Sequence, residues 1–327
     1  MNEAHLKLRV PAGVTLPGEG ALQVAVEVLA PDAASLIQPL MVLVCLPGGG
    51  MNRRFYDLMP ESTSDRSFSF ARQMTARGFI VVLIDHLGIG ESDRPQDGYA
   101  LTPEVLMQAN SHAVAQVLKG LRQGSLLPEL PPLPELRSIG VGHSMGALMT
   151  ILQQATHRQH AALAVLGFGT RGLPEFLKPE ARELAADTAA VRAELVRLAK
   201  DMFGAVSYPR IGRSPRGNDL YGSSKADASG VGALKDAIEP LLPVPCFMSM
   251  LPGNVAPEAA QVDVPVFLGI GELDMVGPPH QVPASFTGSR DVTLHILPQT
   301  GHSHFLFPAR TGLFDRLALW AKSAVGR

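Results

Sequence analysis

Apolar and polar positions alternate at the start of the chain, and residues 5–10, 21–29 and 40–46 read as strands. In ALQVAVEVL (21–29) the alternation marks a half-buried antiparallel edge. The period then lengthens. SFARQMTARG (69–78) puts Phe70 and Met74 on one helical face and stops at Gly78, and the apolar run FIVVLI (79–84) is a buried strand. Thr102 caps a helix with Pro103 at its first position and Leu106, Ala109, Ala113, Val117 and Leu121 facing inward. LRSIGVG (136–142) is a strand, followed by a helix from Met145 to about Ala155. ALAVLGF, VPVFLGIG and VTLHILP complete eight strands, and LFDRLALWAKSAV closes with an amphipathic helix. Strands alternating with helices predict an α/β fold: a mostly parallel eight-stranded sheet with helices on both faces.

The alternation stops between GFGTRG (167–172) and VPVFLGIG (264–271) for some ninety residues. That stretch holds a helix rich in Ala, Glu, Leu and Arg (about 179–203), a Gly/Ser/Arg-rich passage and the Pro- and Met-rich EPLLPVPCFMSMLPGN. A compact domain does not carry a structureless loop so long, so 171–262 is expected to be a helical cap inserted after the sixth strand. Residues 1–170 and 263–327 then form the core.

Composition narrows the classes. With 28 basic and 30 acidic residues and no basic cluster, nucleic acid is not an expected partner. No apolar run reaches membrane-spanning length, and MNEAHLKLRV lacks the basic start and apolar stretch of a signal peptide, so a cytoplasmic protein without a membrane partner is expected. Hydrophobic residues make up 46% and charged ones 18%, enough apolar surface for a large core plus a greasy cleft or an oligomer interface. Cys45 and Cys246 read as packing residues, since two cysteines make neither a disulfide framework nor a metal site. No metal or other cofactor is expected.

GHSMGA (142–147) fits G-x-S-x-G, a weak signal alone in a chain with 32 glycines. Its context strengthens it: Ser144 follows a strand directly and precedes a helix, the setting of a nucleophile elbow. Gly142 and Gly146 let strand and helix pack closely, and the N–H of Met145 sits at a helix N-terminus, where partial positive charge favours an oxyanion. A serine nucleophile needs a histidine base oriented by a carboxylate. FLGIGELD ends a strand with Asp274, and LHILPQTGH ends the next with His302, twenty-eight residues later. Glu272 and His304 are close rivals for the two roles.

These residues together resemble the α/β-hydrolase superfamily over nearly the whole chain except the insert. Beyond GHSMG and GELDMVGPP, the segment DHLGIGESDRP (85–95) is similar to the D-x-x-G-x-G-x-S turn of capped members, with Asp85, Gly88, Gly90 and Ser92 present. The resemblance implies an α/β-hydrolase fold, a catalytic Ser144, Asp274 and His302, and no cofactor. It favours Asp274 over Glu272 and His302 over His304. It also implies an oxyanion hole made by Met145 and a donor in LPGGGMN, with Gly49 the best candidate and Gly50 its neighbour; Pro47-Gly48 replaces the usual His-Gly.

A serine nucleophile disfavours the epoxide hydrolase and dehalogenase branches. The implied activity is hydrolysis of a carboxylic ester or lactone of low polarity, a small-molecule substrate. Thioester or carbon–carbon bond hydrolysis and a ligand-binding receptor on the same scaffold are the rivals. Gly50, Met51, Phe203, Phe247 and Met248 are the expected substrate-binding residues, with Met202 and Met250 beside them; the core of the cap would explain the Met and Phe residues equally well. His143 and His295 read as structural histidines, and His86 as a pocket or packing residue. Arg210, Arg213 and Arg216 share one loop that is either solvated or able to meet a carboxylate.

Overall fold

In the computed structural model, which describes residues 3–61, 64–210 and 225–326, eight strands form one sheet. They are β1 (Ala4–Pro11), β2 (Gln23–Ala30), β3 (Met41–Leu46), β4 (Ile80–Ile84), β5 (Arg137–His143), β6 (Ala162–Leu166), β7 (Val266–Gly271) and β8 (Val292–Leu297). Their spatial order is β1-β2-β4-β3-β5-β6-β7-β8, with β2 antiparallel to both its neighbours, β1 and β4, and the other pairs parallel. The wholly buried runs of β3 and β4 lie in the middle, as continuous apolar strands should in a sheet covered on both faces.

The edge beside β2 is β1, whose residues alternate between half-buried and exposed up to Val10, which is buried. The alternation in 21–29 predicts an edge at β2 instead. That strand lies one place in, between β1 and β4, and is buried at all but its first residue.

The described helices are α1 (Phe70–Thr75), α2 (Pro103–Gln123), α3 (Met145–His157), α4 (Pro179–Leu184), α5 (Thr188–Ala193), α6 (Leu195–Phe203), α7 (Ala228–Leu234), α8 (Pro243–Met250), α9 (Ala256–Ala259) and α10 (Arg310–Val325). Thr102 caps α2 through a bond from the Val105 N–H, and Gly124 ends it in a left-handed conformation (φ 68°). The pleat sends alternate residues to opposite faces. Val42, Val44 and Leu46 join the apolar cluster beneath α2 and α3, while Met41, Leu43 and Cys45 join the one beneath α1 and α10.

Among the described residues six helices, α4 to α9, lie between β6 and β7. The single helix expected over 179–203 is three, because the Asp187 carboxylate caps the N–H groups of Ala189 and Ala190 and starts a new helix. Leu195, Leu198, Val244 and Phe247 pack into the same cluster as α2 and α3. Among the described residues no helix is long and apolar enough to cross a membrane.

Candidate active site

The turn from β5 to α3 holds Ser144 at φ 54° and ψ −123°. Such a conformation costs a non-glycine residue about 1–3 kcal/mol and persists only where its surroundings impose it. Here the Ser144 N–H donates to the Leu166 carbonyl at 2.9 Å, and the Ser144 carbonyl accepts the N–H of Ala147 at 2.9 Å. The hydroxyl makes no cap bond to the helix, and Ser144 is the one half-exposed residue in a buried run from Ser138 to Ile151. Both flanking glycines are steric requirements: a Cβ on Gly142 would fall 2.4 Å from Ala147 Cα, and one on Gly146 2.1 Å from the Leu46 carbonyl oxygen.

Loops after β7 and β8 bring the other groups to the same end of the sheet. His302 Nδ1–H donates to Asp274 Oδ1 at 2.8 Å, and His304 Nε2–H donates to Oδ2 at 3.0 Å. The Asp274 side chain is wholly buried. Burial alone would raise its pKa, but the charge and hydrogen bonds of His302 and His304 outweigh it and hold the carboxyl well below its usual range. Glu272 is exposed and accepts from the N–H and amide of Gln299 instead.

His143, beside Ser144, donates from Nε2 to the His302 carbonyl at 2.8 Å, and its ring lies 4.5 Å from that of Phe55, tilted by 36°. Burial, and then the facing His302 and His304, push its pKa far down, so it braces the loop as a neutral ring. His295 lies half-buried on β8, its ring 6.1 Å from Phe267.

The loop after β3 borders the helix start. A Cβ on Gly49 would lie 2.5 Å from Cys246 Sγ on α8 and 3.8 Å from Met145 Cβ, so this backbone runs tight against α8 and in ordinary contact with the start of α3. His86, buried and kept neutral by burial, donates from Nε2 to the Pro47 carbonyl at 3.2 Å. Downstream, the Arg53 N–H donates to Asp85 Oδ1 at 2.7 Å, and its guanidinium reaches Asp85, Glu27 and Glu91. Asp85 also accepts from the Glu91 N–H at 2.9 Å, and Ser92 Oγ donates to the Asp85 carbonyl at 2.8 Å. A Cβ on Gly90 would sit 2.1 Å from Asp85 Oδ2. The D-x-x-G-x-G-x-S turn is therefore a buried brace beneath the glycine loop.

Ser144 and His302 line one cleft of about 30 Å³, with walls from Gly167, Phe168, Gly169, Leu173, Ser249, Met275 and Val276. That is room for about two water molecules. None of the five expected substrate-binding residues is on it. Cys246 and Ser249, one turn apart on α8, face Gly49 and the cleft respectively, whereas Phe247 and Met248 are buried in the packing of the helices. Phe203 packs half-buried on α6. The Gly50 carbonyl is tied to the Glu239 N–H at 2.7 Å, and Met51 is buried in a bridge to Ile238. Arg210 is exposed, and Arg213 and Arg216 lie outside the described residues.

Gly167, Phe168, Gly169, Met275 and Val276 lie in the loops after β6 and β7, while Leu173 and Ser249 come from the insert. The position of the first five at the carboxyl ends of parallel strands was the available signal. A larger hollow of about 230 Å³, lined by Thr170, Arg171, Pro278, Gln281 and Val282, shares Gly169 and Val276 with the cleft.

A sequence model of the alpha/beta hydrolase family matches residues 43–311. Among curated proteins none matches. Similar solved structures include a hypothetical protein from Pseudomonas aeruginosa, 16% identical with a TM-score of 0.63, covering 98% of this chain and 94% of that one. A thermophilic esterase from Thermogutta terrifontis is 16% identical with a TM-score of 0.57 (98% and 99% covered). Proline iminopeptidase from Mycobacterium smegmatis is 17% identical with a TM-score of 0.58 (98% and 99% covered). Identities this low carry the fold and leave the substrate to be argued from the site.

Proposed function

Because the chain belongs to the alpha/beta hydrolase family, we propose that it is a serine hydrolase acting on a carboxylic ester or lactone of low polarity. In this reading Ser144 attacks the carbonyl carbon while His302 Nε2 takes the hydroxyl proton. Asp274 fixes the tautomer and balances the imidazolium. The N–H groups of Met145 and Gly49 receive the oxyanion. His302 then protonates the leaving alkoxide, and water, activated by the same ring, frees the acyl group from Ser144.

One observation carries the reading: a half-exposed serine in a strained turn shares its cleft with a histidine whose other nitrogen bonds a buried carboxylate. The apolar walls Phe168, Leu173, Met275 and Val276 suit an acyl group without charge. Residues 171–262, which contribute Leu173 and Ser249, act in this proposal as a cap that shapes the substrate.

The test is a fluorophosphonate, which adds rapidly only to an activated serine. Peptide mapping should place the label on Ser144, and Ser144→Ala should abolish both labelling and p-nitrophenyl acetate hydrolysis. Label on another residue, or ester hydrolysis that survives Ser144→Ala, would overturn the reading.

A further inference from the structure

We propose that His304 is a positioning residue of the same site, holding Asp274 from the side opposite His302. This rests on the serine-hydrolase reading. The two oxygens of Asp274 are served unequally. Oδ1 accepts from His302 Nδ1 at 2.8 Å and from the Val276 N–H at 3.3 Å, while Oδ2 has His304 Nε2 at 3.0 Å as its donor among the described residues. Both side chains are wholly buried, so water cannot stand in. A buried carboxylate oxygen stripped of its donor is unsatisfied, and Asp274 would then lean on His302 alone. A tighter hold from Asp274 draws the His302 ring off Ser144.

The His304 ring is committed to this task. Its Nδ1 is buried with no partner among the described residues. The tautomer with its proton on Nδ1 would leave Oδ2 facing a lone pair, so the proton belongs on Nε2. Around it stand Asp274, His302, His143 with its ring edge-on at 5.6 Å, and His295 on β8. Phe305 and Leu306, both fully buried, anchor the turn that presents the two histidines to one carboxylate.

A donor on Oδ2 draws off part of the charge that Asp274 offers to His302. Removing it should strengthen the remaining pair and raise the proton affinity of His302. Since the base must be neutral to act, the acid limb of the pH profile should move upward.

The experiment measures the second-order rate of Ser144 phosphonylation by a fluorophosphonate from mildly acidic to mildly alkaline pH. His304→Phe keeps the ring without the donor. It should shift the acid limb up by about one unit and lower the plateau about tenfold. His304→Gln, whose amide can reach Oδ2, should restore the wild-type limb. If His304→Phe does not fold, His304→Asn, too short to reach, replaces it. An unmoved limb, or the same shift in the Gln variant, would overturn the proposal while leaving the serine-hydrolase reading intact. Absence of label on wild-type Ser144 would overturn both.

Discussion

Gly146 presses so closely on Leu46 that a Cβ would lie 2.1 Å from its carbonyl oxygen, the same oxygen that accepts the Tyr56 hydroxyl at 2.9 Å. The first turn of α3 thus crosses the end of β3 in direct contact, which brings Met145 beside Gly49. Gly146→Ala should push the helix from the strand, lower Tm by several degrees and cut the labelling rate at least about a hundredfold, since errors of an ångström are costly at a reacting centre. Gly312, exposed near the start of α10 with nothing within 4 Å of where a Cβ would stand, is the control. Gly312→Ala should stabilise by about 0.5–1 kcal/mol and leave the rate alone. Equal effects in the two variants would remove the steric argument.

Asp274→Asn should lower kcat by roughly 10⁴, the scale seen when a catalytic histidine loses its orienting carboxylate. Glu272→Gln should cost less than about twofold, because Glu272 bonds Gln299 on the surface and no histidine. Steady-state rates of both variants on one p-nitrophenyl ester decide it. A reversed pattern would reassign the acid.

Stability should fall with acid in a window set by His160. This ring is buried and bonds Ser138 Oγ at 3.1 Å, and burial pulls its pKa from 6.5 to about 4. The unfolded chain therefore binds a proton between those values that the folded one does not. The native state gains full benefit above about 6.5 and loses it progressively as the pH drops towards 4. His86 and His143, also kept neutral by burial, slope the same way. Urea melts of the wild type should lose about 2–3 kcal/mol more than His160→Gln between those pH values. Parallel curves would show that His160 titrates freely in the fold.

The sheet was legible in the sequence because its strands are apolar runs bounded by turn residues, and Ser144 because G-x-S-x-G has a definite strand-to-helix context. Ser144 and His302 do meet in one cleft, and Asp274 pairs with His302. Register against neighbours was less legible. β2 alternates like an edge strand yet lies inside, since its exposure depends on β1, which pairs with it along its length. The grip of His304 on Asp274 is a tertiary meeting of two loops, and spacing alone favours packing. The cleft walls escape the sequence for a similar reason. Phe247 and Met248 have the apolarity of a substrate pocket, but the rotation of α8 decides which residues face Ser144, and that is set by packing on α3 and α6.

That rotation has a consequence for selectivity. With about 30 Å³ beside Ser144, the wild type should hydrolyse acetate and propionate esters faster than hexanoate or longer ones. Leu173→Ala and Met275→Ala each remove apolar bulk from the wall and should move the optimum to longer acyl chains. Each added methylene that finds room contributes about 0.8 kcal/mol, up to roughly fourfold in kcat/KM. Phe247→Ala should behave differently. Its ring is buried away from the cleft, so its loss should cost about 3–5 kcal/mol of stability and leave the chain-length optimum where it was. The measurement is kcat/KM along a p-nitrophenyl series from acetate to decanoate for the wild type and the three variants. An optimum that moves with Phe247 and stays fixed with Leu173 and Met275 would return the acyl pocket to the face of α8 that carries Phe247.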